Sequence, residues 1–385
     1  MDFEPSGEQQ DFRARAAEFA RTRLQPGLAQ RDREGSFPRA LWRACAEFGV
    51  LGLPFPERYG GSERDVLVTV AMMEGLGHGC GDNGLLFGLN AQMWSVQHPI
   101  ARFGTDEQRE RFLPGLIAGE LVGAHGMTEP GSGSDAFALT ARAVPCDGGH
   151  RLTGTKTMVT HAPVCDLAVV FATTNPALGM WGISAFIVER GMPGFSVGGT
   201  IDKMGLRTSP MGELVLEDCF VPRALQLGPD GVGARVFESS MGWERSCILA
   251  TQLGAMQRQL ERSIEYANQR EQFGQPIGAF QSVSNRIADM AVRLETARLL
   301  LYKVAWLKQR DRPAAMEAAM VKLCLGEAFV ASSLDALRIH GGYGYATETG
   351  IERDVRDALG GTLYSGTSDI QRNIIARHLG LGKRS

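Results

Sequence analysis

The stretch Met241-Gly-Trp-Glu-Arg-Ser-Cys-Ile-Leu-Ala250 sets a carboxylate and a guanidinium side by side at the start of a long amphipathic run. Leu249, Leu253, Met256, Leu260 and Ile264 recur at spacings of three and four, which is one face of a helix. Glu244 falls at the edge of that stripe, within what reads as the helix's first turns. There it would be favoured by the positive end of the helix dipole for stability alone. It could equally serve as a general base.

Other stretches carry groups suited to holding a ligand. Met127-Thr-Glu-Pro-Gly-Ser-Gly-Ser-Asp135 gathers Thr128, Ser132 and Ser134 among flexible glycines. Such a loop can offer hydroxyls and backbone N–H groups to a flat ring with several acceptors, or to a phosphate. An ordinary glycine-rich turn would look the same. Gly154-Thr-Lys-Thr-Met-Val-Thr160 reads as a strand whose alternate positions could face a ligand. Further along come Lys203-Met-Gly-Leu-Arg-Thr-Ser209, then Tyr266-Ala-Asn-Gln-Arg-Glu-Gln-Phe-Gly-Gln-Pro-Ile277 with Phe280-Gln281. The last group runs from His340-Gly-Gly-Tyr-Gly-Tyr345 through Arg353-Asp-Val-Arg-Asp357 to Tyr364-Ser-Gly-Thr-Ser-Asp-Ile-Gln-Arg372.

The elements that must position these groups fall into three regions. Residues 8–24, 39–48, 65–76, 85–103 and 106–118 show helical periodicity broken by Gly and Pro clusters, so residues 1–120 read as an α-helical domain. Between 121 and 225 the texture changes to short β-branched and aromatic runs at 167–171, 183–188 and 212–216, separated by turn residues, as in a compact antiparallel sheet. Residues 226–385 return to helix. Three long amphipathic helices, punctuated by Pro313, and a last one over 368–378 with Thr367 as its N-cap suggest an antiparallel bundle.

The totals exclude several classes. A chain of 385 residues with a formal net charge of −3 and no basic block offers nothing to nucleic acid. No apolar run reaches membrane-spanning length. The N-terminus lacks a basic region followed by an apolar one, and the seven scattered cysteines never adopt Cys-x-x-Cys spacing. Reduced thiols in a cytoplasm are therefore expected, with neither a zinc site nor a disulfide frame.

Taken together and in this order, the motifs resemble the acyl-CoA dehydrogenase family of flavoproteins over nearly the whole chain. The resemblance implies an α+β, mainly α fold: a helical domain, a middle β-domain and a C-terminal four-helix bundle. It implies FAD between the last two parts and a homotetramer, or at least a dimer. Met127, Thr128, Met158 and Thr160 would lie at the isoalloxazine ring, and Ser134 near the flavin or a pantetheine arm. Arg270, Phe273 and Gln281 would reach a neighbouring subunit's FAD, while Gly341, Gly342, Thr367 and Asp369 would close around the rest. The implied reaction is α,β-dehydrogenation of an acyl thioester on CoA or a carrier protein, with electrons passing to an electron-transfer flavoprotein or to oxygen.

The chain departs from this pattern where most members carry the base. A Tyr-Glu-Gly-Thr stretch is here Tyr364-Ser365-Gly366-Thr367, and a serine hydroxyl is too weak a base to act unaided. A minority of the family places the base on the first long bundle helix, at the position of Glu244, with Arg245 and Ser365 then beside the substrate. Met158 stands where many relatives have Trp, and Arg338 where Gln is common. The combination looks most like the natural-product branch, in which prolyl-carrier-protein dehydrogenases occur. Elimination chemistry without a base, or a non-catalytic carrier-binding role, are the alternatives.

Overall fold

The computed structural model describes residues 4–382. Its first part is helical: α1 (Gly7–Phe19), α2 (Leu28–Glu34), α3 (Arg39–Glu47), α4 (Val66–Gly79), α5 (Asn83–Ala91), α6 (His98–Phe103) and α7 (Asp106–Ile117). Capping boxes start α1 at Ser6 and α7 at Thr105, each closed by a glutamine three residues on. Asp65 starts α4 by accepting the Val68 N–H at 2.7 Å. The expected single helix over 85–103 is three segments, because residues Gln92–Gln97 wind as a π-helix between α5 and α6. Helix α2 lies in a stretch without clear periodicity.

The middle part is an eight-stranded sheet: β1 (Gly123–Gly126), β2 (Arg142–Cys146), β3 (Gly149–Thr160), β4 (Leu167–Thr173), β5 (Ile183–Glu189), β6 (Phe195–Ile201), β7 (Met211–Pro222) and β8 (Gln226–Leu227). The order is β6-β7-β3-β2-β4-β5-β8, with β1 beside β4. The sheet is not purely antiparallel, since β1 pairs with β4 in parallel and β2 meets β4 in parallel at one position. All seven residues of β4 are buried, which explains the unbroken apolar run Leu167–Phe171. The sheet also extends past residue 225 through β8.

The last part comprises α8 (Gly233–Cys247), α9 (Ala250–Gln269), a small hairpin of β9 (Glu271–Gln272) and β10 (Gln275–Pro276), α10 (Gln281–Gln309), α11 (Ala315–His340), the short α12 (Gly342–Tyr345), α13 (Ile351–Gly360) and α14 (Ser368–His378). Thr367 caps α14 by accepting the Ile370 N–H at 3.2 Å. A further expectation is overturned here. The helix carrying Glu244 begins at Gly233, and Glu244 lies in its last turn, where its carbonyl accepts the Ile248 N–H at 2.8 Å. The negative end of the α8 dipole therefore works against the Glu244 charge, so dipole stabilisation cannot account for an acid there.

Two features lock the three parts together. Helices α4 and α9 cross so closely that a Cβ on Gly77 would stand 1.7 Å from the Thr251 carbonyl oxygen, and one on Gly254 would stand 1.9 Å from that of Glu74. Only glycine permits that approach. The second is a buried polar knot. Asn83 donates to Asp354 at 2.9 Å and to Asp357 at 3.0 Å, and the Leu206 N–H donates to Asp357 at 2.6 Å. Arg356 pairs with Asp32 at 2.7 Å and also donates to the Met204 carbonyl at 3.0 Å. Residues from all three parts thus fix the loop after β6, which walls one side of the main cleft.

Candidate active site

A cleft of 740 Å³ opens between the sheet and the surrounding helices. Helix α8 presents Phe237, Met241 and Glu244 to it at spacings of four and three, one face of the helix. The loop before α14 brings Tyr364, Ser365, Gly366 and Thr367, and the π-helical segment brings Ser95. Glu244 is buried at 8% exposure, and both its carboxylate oxygens accept hydrogen bonds. Oε1 receives the Ser365 hydroxyl and Oε2 that of Ser95. Burial raises the Glu244 pKa, against the two hydroxyls and the nearby Arg245 and Lys322 charges, which act to lower it. No described lysine or arginine forms an ion pair with it. The Arg245 Nε donates instead to the Ser365 carbonyl at 3.4 Å.

Lys322, buried on α11, was not singled out by any motif. Its Nζ donates to the Gly366 carbonyl at 2.8 Å, and burial pushes its pKa down to about 8. It fixes the backbone beside Ser365, a residue held at φ 56 in the left-handed region. A lone lysine inside the helical run 315–340 gives little sign in sequence that it faces inward. Ser95 gave none, since the contact it makes is 149 residues away.

The sheet side of the cleft is shaped by a buried ion pair. Lys156 Nζ donates to Glu129 Oε1 at 2.7 Å and to the Met127 carbonyl at 3.2 Å. Glu129 also accepts from the Thr140 N–H at 2.6 Å, the Thr140 hydroxyl at 2.7 Å and the Ala141 N–H at 2.9 Å. Burial acts to raise the Glu129 carboxyl, but Lys156 and Thr140 outweigh it and hold it below its ordinary range. The glutamate of the Thr-Glu-Pro motif is thus an anchor that holds the 128–135 loop against β3. Beside it, the β3–β7 register slips between Lys156 and Val159, and Met158 at φ 54 is turned out of the sheet into the cleft, 57% exposed.

Met127, Thr128, Ser134, Met158, Thr160, Glu244, Arg245, Ser365 and Thr367 therefore all line one cleft. The hydroxyls of Thr128, Ser134 and Thr160 have no hydrogen-bond partner among the described residues. Three free hydroxyls on one wall suit a flat ligand carrying several acceptors, which is the donor set an isoalloxazine would use. Arg270, Gly341 and Gly342 lie elsewhere, on a shallower second cleft with Tyr266 and His340. Phe273 tips the β9–β10 hairpin at 94% exposure, and Gln281 starts α10 on the surface. Asp369 pairs with Arg372 at 3.0 Å and does not line the main cleft. Arg338 pairs with Asp335 at 3.5 Å and enters neither cleft. Among the described residues no His, Cys, Asp or Glu cluster could hold a metal ion, and no helix is long and apolar enough to cross a membrane.

A helical part, a middle sheet and a helical bundle enclosing such a cleft define a known class, and the chain belongs to the acyl-CoA dehydrogenase family. Residues 6–120, 124–219 and 231–380 match that family's N-terminal, middle and C-terminal domains. Within the family, the L-prolyl-[peptidyl-carrier protein] dehydrogenase of Pseudomonas fluorescens is 44% identical over 382 residues, covering 99% of this chain and 100% of the relative. The prolyl acyl carrier protein oxidase AnaB superposes with a TM-score of 0.97 at 46% identity, over 98% of this chain and 100% of that one. PigA with FAD and proline matches with a TM-score of 0.97 at 41% identity, over 99% and 100%.

Proposed function

We propose that this chain is an FAD-dependent dehydrogenase that removes hydrogens from the α and β carbons of an acyl thioester, with Glu244 taking the α proton. The observation that carries the reading is the contact between Glu244 and Ser365. The two positions where the family can carry its base lie 121 residues apart in sequence, yet here they meet. A carboxylate on α8 therefore reaches the point that the usual glutamate would occupy, and the serine leaves room for it.

Bound FAD would supply the oxidant, a two-electron acceptor for the β hydrogen. The chain's own part begins with the cleft wall: Met127, Thr128, Ser134, Met158 and Thr160 would hold and orient the isoalloxazine, with Thr367 lining the same cleft. Glu244 breaks the α C–H bond by taking the proton, and its burial keeps water from competing for the carboxylate. Arg245 and Lys322 hold the Ser365–Gly366 backbone in place. The second cleft, with Arg270, Gly341 and Gly342, together with Phe273 and Gln281, serves the adenine and diphosphate side of FAD across a subunit contact in a homotetramer. A planar guanidinium suits a diphosphate. Phe273, 94% exposed at the tip of the hairpin, would be covered by such a contact.

Phe87 and Tyr364 pack with ring centroids 4.5 Å apart and together wall the cleft. The relatives named for prolyl-carrier proteins make a prolyl thioester the first substrate to try, with an electron-transfer flavoprotein or oxygen as acceptor. The test is anaerobic bleaching of the bound flavin by prolyl-carrier protein and by short acyl-CoA thioesters. Glu244→Gln should keep the flavin colour and lose the bleaching. A variant that bleaches at the parent rate would overturn the base assignment.

A further inference from the structure

Among the described residues, Ser95 is the one group from the N-terminal helical part that hydrogen-bonds the Glu244 carboxylate, and the local structure that delivers it is unusual. Residues Gln92–Gln97 form a π-helix, a winding that is rare and that changes which side chains share a face. Within it, two consecutive residues meet two consecutive residues of α8. Trp94 stacks on Trp243, with centroids 5.4 Å apart and planes 6° from parallel, and Ser95 donates to Glu244 Oε2. The segment is pinned from both ends. Trp94 Nε1 donates to Asn90 Oδ1 at 3.2 Å, Gln92 Oε1 accepts the Gly123 N–H at 2.7 Å, and Gln97 Nε2 donates to the Leu51 carbonyl at 2.8 Å. Ser95 is itself buried, at 4% exposure, so its hydroxyl meets little water as an alternative partner.

A buried carboxylate at the unfavourable end of a helix needs donors to stay ionised, and among the described residues only the two hydroxyls hydrogen-bond Glu244. The other groups facing it are Arg245 on its own helix, Lys322 on α11 and Tyr364 on the loop before α14; none of them hydrogen-bonds it. With one hydroxyl on each oxygen, the carboxylate cannot rotate without breaking a bond. Each oxygen also keeps a lone pair free for the incoming proton.

We infer that Ser95 is a positioning residue for the reaction. Through its hydroxyl on Oε2 it fixes the orientation of the Glu244 carboxylate and stabilises its charged form, so that the π-helical segment couples the N-terminal part to proton abstraction. This rests on the reading of Glu244 as the base.

The test compares Ser95→Ala and Ser95→Thr with the parent. Ser95→Ala leaves a small hole rather than a clash, and Ser95→Thr restores the hydroxyl. The first readout needs neither flavin nor turnover. The protonated-carboxyl infrared band of Glu244, isolated as the difference from Glu244→Gln, is titrated with pH. Its midpoint should rise by about one pH unit in Ser95→Ala, the loss of one charged hydrogen bond, and return in Ser95→Thr. The second readout is the pH profile of flavin bleaching, whose rising limb should move alkaline by the same amount, with the plateau falling several-fold. A Ser95→Ala midpoint and limb that coincide with the parent's would overturn the inference. If Glu244→Gln proves fully active while the infrared midpoint still moves, the contact stands and the base reading falls. If Glu244→Gln is inactive and the Ser95→Ala midpoint stays put, only the role of Ser95 falls.

Discussion

The contact between positions 244 and 365 makes the base movable, and its size can be estimated. Replacing Glu244 with Ala removes the carboxylate, and losing a general base costs about 10²- to 10⁴-fold in rate, or about 3 to 5.5 kcal/mol of transition-state stabilisation. Adding Ser365→Glu then grows a carboxylate from a residue whose hydroxyl already touches the lost Oε1, into the space left by the Glu244 side chain. Position 365 has φ 56, which disfavours any L-residue. Serine already tolerates that conformation, so the added strain for glutamate is at most about 1 kcal/mol, worth about five-fold. The neighbouring Gly366 carbonyl stays tied to Lys322 at 2.8 Å, which holds the graft in register. The double variant should therefore bleach its flavin at least about twenty-fold faster than Glu244→Ala alone. The assay is stopped-flow bleaching at one pH, with flavin absorbance as the check on folding. A folded, yellow double variant no faster than the single one would refute the shared location. Ser365→Glu alone should be impaired and shifted alkaline, because two adjacent buried carboxylates cannot both ionise freely.

The pH profile of the parent follows from burial. A raised Glu244 pKa means the ionised base is lost as pH falls, so the bleaching rate should climb with pH; a rate that falls over the same span would contradict a carboxylate base. Lys322→Met removes a positive neighbour and should move that rising limb further alkaline, measured in the same series. Lys156→Met strands Glu129 in the interior and should cost about 3–5 kcal/mol, visible as a lowered unfolding midpoint and weakened flavin retention. Arg270→Ala should weaken FAD binding in equilibrium dialysis while leaving the Glu244 titration unmoved, because the second cleft shares no lining residue with the first.

Most helices of the first part and the bundle announce themselves through periodicity, which matches the helical repeat, and β4 through the continuous apolar run of a strand buried on both faces. The motif loops were equally plain, and Thr128, Thr160, Thr367 and Glu244 all meet in one cleft. What periodicity could not place was the helix start at Gly233. The residues before Trp243 carry no clear stripe, and so Glu244 read as an N-terminal acid when it is a C-terminal one. Short strands such as β1 and β8, at four and two residues, are too brief for alternation to register.

The sequence by itself determined the three-part order, the family and the absence of a glutamate at 365. Those are properties of residue type and local spacing. Only the tertiary structure decided that Glu244 points into the cleft, that Ser365 and Ser95 clamp it, and that Lys322 holds the loop beside it. Hydrogen bonds between residues 121 and 149 positions apart depend on how helices pack, and packing is a property of the whole chain. The π-helical turn at Gln92–Gln97 is one such case: its winding leaves no period for a sequence to show, yet it sets one of the two donors on the proposed base.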